Sequence, residues 1–266
     1  MKTCRRMALG VAVLLAACNP AEEETSSTES AVGPAAHLAK LQQLMTKLAL
    51  RADQRATLES MAKDMESKLA PARKLRAEAV TEVVRQVRAG KVERARLEAL
   101  LKRAEAFHTA QRPTMLAALN NLHRTLDASQ RSQLIDRLEK RGPGHGGPRH
   151  GFRALRQVAR KLKLTDDQLD RIQAVVKESG GGMGERLSQM MKLHDQLDDA
   201  KKAFLGDRFN AADLEIVKAL PGLVRGHVDR AIRAAEKILP ILTAEQRAAA
   251  AKLIEEHAQG KGGWPR

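Results

Sequence analysis

Few side chains in this 266-residue sequence stand in a pattern that could do chemistry. His194 and Asp198 are four residues apart, a spacing that puts both on one helix face and suits two ligands of a zinc, copper or nickel ion. His145 and His150 lie in a Gly/Pro-rich stretch, where they are either further ligands or incidental residues of a linker. No spacing names a third or fourth ligand. The search for catalysis is short, because there is no nucleotide-binding glycine loop, no His-Glu-x-x-His and no Gly-x-Ser-x-Gly. Carboxylates scattered along helical stretches read as solvated faces. The expectation is a protein that is not an enzyme, has no catalytic residues and needs no cofactor beyond a possible metal.

Basic side chains are the more abundant resource. Lys and Arg number 47 against 32 Asp and Glu, a formal charge of +15. Candidate binding positions are Arg73, Lys74, Arg76, Arg85 and Arg88 in the first half, with Arg186, Lys192, Lys201 and Lys202 in the second. Together they set up a positive field that would speed capture of acidic or partly unfolded proteins and weaken with salt. Met61, Met65, Met115, Met190 and Met191 fall near the apolar stripes. They serve as core, or as adaptable lining for varied partners. Such a charge ordinarily suggests nucleic acid.

The N-terminus argues for a different address. Lys2, Arg5 and Arg6 precede an apolar run from Met7 to Ala17, too short to span roughly 30 Å of hydrocarbon but suited to a secretory signal. The run ends Leu15-Ala16-Ala17-Cys18, which resembles the lipobox of bacterial lipoproteins. That resemblance implies cleavage before Cys18 and acylation of its thiol and amino group. Cys4 leaves with the signal, so no internal disulfide is available and packing must supply the stability. Several acyl chains, at about 0.8 kcal/mol per buried CH₂, anchor a protein stably. Asn19 stands where an Asp would mark inner-membrane retention, which favours the outer membrane. The expected location is the periplasm, away from nucleic acid, with the basic body facing the envelope membrane.

What must position these residues is helical. Hydrophobic residues make up 43% of the chain and aromatics only 2%. Strands favour aromatic and β-branched side chains, whereas Ala, Leu, Arg, Lys, Glu and Gln are strong helix formers. The expected fold class is all-α. Residues 1–17 read as the signal and 18–37 as the lipidated Cys with an acidic, disordered tether. A first helical unit covers 38–141, a Gly/Pro/His linker 142–151, a second unit 152–258 and a tail 259–266.

Two units follow from a recurring segment. Leu50-Arg51-Ala52-Asp53-Gln54 and Leu126-Asp127-Ala128-Ser129-Gln130 are matched by Leu164-Thr165-Asp166-Asp167-Gln168 and Leu242-Thr243-Ala244-Glu245-Gln246. Thr165 with Gln168, and Thr243 with Gln246, form capping boxes, in which each side chain satisfies a backbone N–H left orphaned at the helix start. Asp127 with Gln130 is a close variant. Arg51 cannot cap this way, so the first copy is degenerate. Arg55, Arg131 and Arg247 occupy the position where Leu169 could complete a hydrophobic staple.

Between these segments the apolar period is helical. Ala72, Leu75, Ala79, Val83 and Val87 form one stripe, and Leu97, Leu100, Leu101, Ala104, Phe107, Met115, Leu119, Leu122 and Leu126 a second. Leu214, Val217, Leu220, Val224, Val228, Ala231, Ala235, Ile238 and Leu242 are its counterpart in copy two. Pro71, Pro113, Pro221 and Pro240 should kink or break these helices, and Gly180-Gly181-Gly182 should interrupt the first helix of copy two. A helix over about 210–242 would be roughly 50 Å long. Each copy is therefore drawn as an open hook of three or four antiparallel helices.

Two Leu-Thr-x-x-Gln segments about 75 residues apart in a secreted, basic, helical unit resemble the Spy/CpxP family of envelope stress proteins. The zinc-associated ZraP and metal-sensing CnrX-like proteins are more distant relatives. The resemblance covers about 38–140 and 152–258. It implies a cradle whose basic concave face holds unfolded clients without ATP, made here as an intramolecular pseudo-dimer. Its metal-linked branches imply an alternative, a metal-responsive sensor or buffer, and a structural envelope lipoprotein is a third reading.

Overall fold

The computed structural model describes residues 48–141, 156–179 and 183–259. Cys18, the tether, His145, His150 and the triple glycine lie outside the described residues. The described chain is all-α, with seven α-helices designated here in chain order. They are α1 (Ala52–Ala89), α2 (Arg94–Thr125), α3 (Ala128–Arg141), α4 (Asp166–Ser179), α5 (Met183–Leu205), α6 (Glu215–Ile238) and α7 (Ala244–Ala258). A helical turn covers 156–161, and short 3₁₀ turns occupy Ala211–Asp213 and Leu239–Ile241. Among the described residues no helix is long and apolar enough to cross a membrane.

Of the kinks or breaks expected at four prolines, a break is absent at three. Pro71, Pro113 and Pro221 sit inside unbroken α1, α2 and α6. Each removes one backbone hydrogen bond, at about 3 kcal/mol or more, and the helix bonds on either side carry through. Pro240 does fall at a break, near the start of a 3₁₀ turn, where its missing N–H has no helical partner to lose. The continuous helix expected over 210–242 is accordingly shorter, with a 3₁₀ turn on each side of α6.

Turn chemistry explains the link from α1 to α2. Gly90 takes φ 71°, the left-handed region, and its N–H bonds to the Val87 carbonyl while the Lys91 N–H reaches that of Gln86. Gln86, itself buried, accepts the Glu93 N–H at 2.9 Å and donates to the Glu82 carboxylate at 2.7 Å. That side chain holds the two helices at their joining end.

Burial is gathered in three clusters. Val83, Val84 and Val87 of α1 and Leu97 of α2 pack with Val228 and Ile232 of α6, Leu239, and Ala251 and Ile254 of α7. The core is thus built from both halves of the sequence, with α1 lying against α7. A second cluster joins Leu48, Leu50, Leu58, Leu126 and Leu134 to Phe204. The third holds Ile172, Ala234, Ile238 and Leu242, with Leu164 packed against them. Between these clusters no residue of 63–82 or 98–122 is fully buried, although Val80 and Leu101 pack against the first cluster and Leu122 against the second.

Candidate functional site

The recurring segments come together in pairs. Gln54 and Gln130 exchange hydrogen bonds through their carboxamides at 2.9 and 3.0 Å, and Gln168 and Gln246 do the same at 2.9 Å in each direction. Each Oε1 also accepts the N–H of its own helix's cap residue, namely Arg51, Asp127, Thr165 and Thr243. The remaining donors reach across, Gln54 to the Thr125 carbonyl and Gln130 to that of Ala49. Gln168 likewise bonds the Ile241 carbonyl and Gln246 that of Lys163. Every donor and acceptor of these four amides is therefore used, as a mostly buried polar pair requires.

The hydroxyls of Thr165 and Thr243 accept the N–H groups of Gln168 and Gln246, and Asp127 Oδ1 accepts that of Gln130. Arg51, whose guanidinium has no acceptor, contributes only its backbone. The missing Thr nonetheless does not disturb the first pair, because the glutamine, not the cap, bridges the two helices. Leu126 and Leu242 are buried beside these pairs, and Leu164 is half-buried.

One arginine follows the second glutamine of each pair, Arg131 after Gln130 and Arg247 after Gln246, and its spacing gave it no binding role. Arg131 Nη1 donates to the Leu126 carbonyl at 2.9 Å and Arg247 Nη1 to that of Leu242 at 2.7 Å. Arg247 also lies under the turn of the opposite half. A Cβ placed on Gly90 would come within 2.7 Å of its Nε. Arg131 faces the other turn, with Nη2 at 3.7 Å from Asp207. A Gln-Arg dipeptide at 130–131 and 246–247 is shared with 54–55, where Arg55 is exposed, so the sequence does not single these two arginines out.

His123 belongs to the same junction. It is buried, its Nε2 lies 2.8 Å from the Gly206 carbonyl, and its ring stacks on Phe209 and meets Phe204 edge-on. Nothing in its spacing separates it from other helical histidines.

The candidate basic residues are widely separated along the helices, and most are in ion pairs. Arg85 binds Glu82 and Glu93, and its guanidinium holds the Glu82 carboxyl down at about 2. Arg88 pairs with Glu255, joining α1 to α7, and Lys201 bridges Asp198 and Glu139, joining α5 to α3. Hydrogen bonds to Glu139 and Asp198 raise the pKa of Lys201. Arg73 pairs with Glu66 and Lys202 with Asp199. Lys74 and Lys192 are exposed and Arg76 is half-exposed. Arg186 lies in α5, and its side chain is outside the described residues. Such exposed pairs contribute little stability one by one. They leave the positive surplus in place.

Arg94–Glu236 at 3.0 Å and Asn120–Asn210 at 3.4 Å show α2 and α6 running antiparallel. Arg225 on α6 adds contacts to Glu98 and Glu105 on α2, with Asp229 on its own helix. Several large apolar side chains of these helices face water, among them Met115, Leu119, Leu220 and Leu223. Met191 and Leu197 of α5 are exposed as well.

For a metal, His194 Nδ1 and Asp198 Oδ2 approach to 3.4 Å on exposed α5. Asp198 is bonded to Lys201, which lowers its pKa and occupies one of its oxygens. Among the described residues no group of three His, Cys, Asp or Glu could hold an ion.

Comparison with protein-family models, curated proteins and solved structures finds no match to this chain.

Proposed function

We propose that this protein is an ATP-independent chaperone of the bacterial envelope, anchored through acylated Cys18 in the outer membrane. Its two tandem Spy-like units are read as an intramolecular pseudo-dimer that forms a basic, cradle-shaped body. The observation that carries this reading is the open middle of the helix layer. Residues 63–82 of α1 and 98–122 of α2 pair along their length yet bury no side chain fully. The apolar stripe that the sequence places there is half-exposed, and α6 adds Leu220 and Leu223. Large apolar side chains left partly open on paired helices fit a binding face. Methionine within it suits clients of varied shape. The surplus of Lys and Arg, 22 against 12 acidic residues over 38–141 and 22 against 16 over 142–266, steers acidic or partly unfolded proteins to that face.

The test is suppression of client aggregation by the chain that follows Cys18, at stoichiometric amounts and without ATP. Capture should slow when salt is raised to on the order of 0.5 M, where charge is screened within a few ångströms. Leu220→Ser with Leu223→Ser should weaken holding at any salt. No suppression by the unsubstituted chain overturns the reading.

A further inference from the structure

An offset of 116 residues relates many contacts of the two halves. Arg94–Glu236 corresponds to Asn210–Asn120, the Arg247–Leu242 bond to Arg131–Leu126, and the turn at Gly90 to the turn at Gly206. Each half thus presents its turn to the closing helix of the other. The first turn and the end of α1 lie on α7, and the second turn and the end of α5 lie on α3.

The two clasps are furnished very differently. Val83, Val84 and Val87 of the first are all buried, and the same places in the second hold Asp199, Ala200 and Ala203, none of them buried. Opposite them, buried Val228 corresponds to Arg112 and buried Leu239 to His123. Ile254 is 6% exposed in the first clasp, whereas its counterpart Leu138 is 49% exposed in the second. Apolar contact with the second turn rests on Phe204, which packs into the cluster of Leu48, Leu50, Leu58, Leu126 and Leu134, and on Phe209 beside His123. Its ion pair with Arg131 uses Asp207, whose side chain is fully exposed, a setting in which charge pairs add little.

We infer that the molecule opens at the second clasp while the first stays shut. The first clasp buries a continuous apolar core, so separating it exposes far more surface to water. Parting the second withdraws Phe204 from one leucine cluster and Phe209 from His123, and uncovers Ala211. It also breaks the His123–Gly206, Asn120–Ala211, Asn120–Asn210, Arg131–Asp207 and Lys201–Glu139 contacts. That is still less apolar burial than the nine-residue core of the first. The body is then a one-sided hook, with α1, α2, α6 and α7 as its fixed frame and the end of α5 with the 206–213 segment as its movable tip. This holds whether or not the protein takes clients.

Hydrogen exchange of the full chain, followed by mass spectrometry and corrected for intrinsic rates, tests it. Amides of 128–141 and 199–213 should exchange at least about ten-fold faster than those of 83–97 and 244–258, because local opening follows the least buried contacts. Phe209→Ala should speed exchange in the second clasp and leave the first unchanged. Ala200→Val with Ala203→Val, which restores the valines of the first clasp, should slow it. Equal protection of the two clasps overturns the inference, as does a Phe209→Ala chain in which both speed up together.

Discussion

The carboxamides of Gln54 and Gln130, 76 residues apart, hydrogen-bond to each other in both directions and leave no donor or acceptor unused. A capping glutamine is ordinarily a local device. Here each one caps its own helix, ties that helix to its partner and receives the chain that enters the partner helix. Gln168 and Gln246 repeat the arrangement, so the segment recurs in sequence because each copy is half of a joint.

Loss of one glutamine should therefore cost more than a cap. Gln130→Ala leaves one donor and one acceptor site of the Gln54 amide, and the Ala49 carbonyl, without the partner they had, and each unsatisfied buried group costs about 1–3 kcal/mol. Gln54→Leu with Gln130→Leu should be less destabilising than the two single changes summed, with a coupling of about 1 kcal/mol or more. Urea titration of the four proteins measures it. Additive effects would show that the two side chains do not act as a pair.

Arg51 stands where the other copies have Asp or Thr, and its side chain makes no cap. Arg51→Thr should stabilise the chain by about 0.5–1 kcal/mol, since a hydroxyl there can accept the Gln54 N–H. The lost contact to Asp53, 3.5 Å away between exposed groups, matters little. A fall in melting temperature would contradict the assignment.

Gly90 and Gly206 occupy matching turns but should not tolerate change alike. Gly90 has φ 71° and Arg247 beneath it, while a Cβ on Gly206 meets its nearest neighbour, the Ala203 carbonyl, at 3.4 Å. Gly90→Ala should cost about 1–2 kcal/mol from backbone strain alone, and more from the displaced guanidinium. Gly206→Ala should be nearly neutral. Thermal melts of the two variants decide it, and equal effects would show that Arg247 is not held in that place.

Acid should loosen the end of α1 through Glu82. Its carboxyl accepts hydrogen bonds from Arg85 and Gln86 and is held at about 2, below the ordinary 4.5. A depressed carboxyl contributes stability above its unfolded pKa and loses it as pH falls from about 4.5 toward 2. Glu82→Gln should lower stability near neutral pH and flatten the acid side of the stability curve. Parallel curves for the two proteins would show that Glu82 does not carry this dependence.

Much of this fold was legible in the chain. The 3.6-residue apolar period and the scarcity of aromatics marked helices, and three of the four capping segments formed their boxes with the residues expected. A single missing N–H did not break a long run of intact helix bonds at Pro71 or Pro113. The ion pairs of the basic positions were only partly legible. Glu82 stands three residues before Arg85 on one helix, a spacing legible in the chain, whereas Glu255 and Glu139 become visible as partners of Arg88 and Lys201 only once helices are placed.

By itself the sequence determined the helices, their caps and their duplication, because these depend on interactions within a few residues. It also determined the surplus of positive charge, which is a sum over composition. Tertiary structure decided which glutamine meets which, that Arg131 and Arg247 turn inward under opposite turns, and that one clasp is packed with valines while the other is held by a histidine and two phenylalanines. Those outcomes depend on contacts between residues tens to more than a hundred positions apart, such as Val87 with Ala251. No local pattern carries them, because an apolar residue at a helical spacing shows which face will be buried but not what will lie against it.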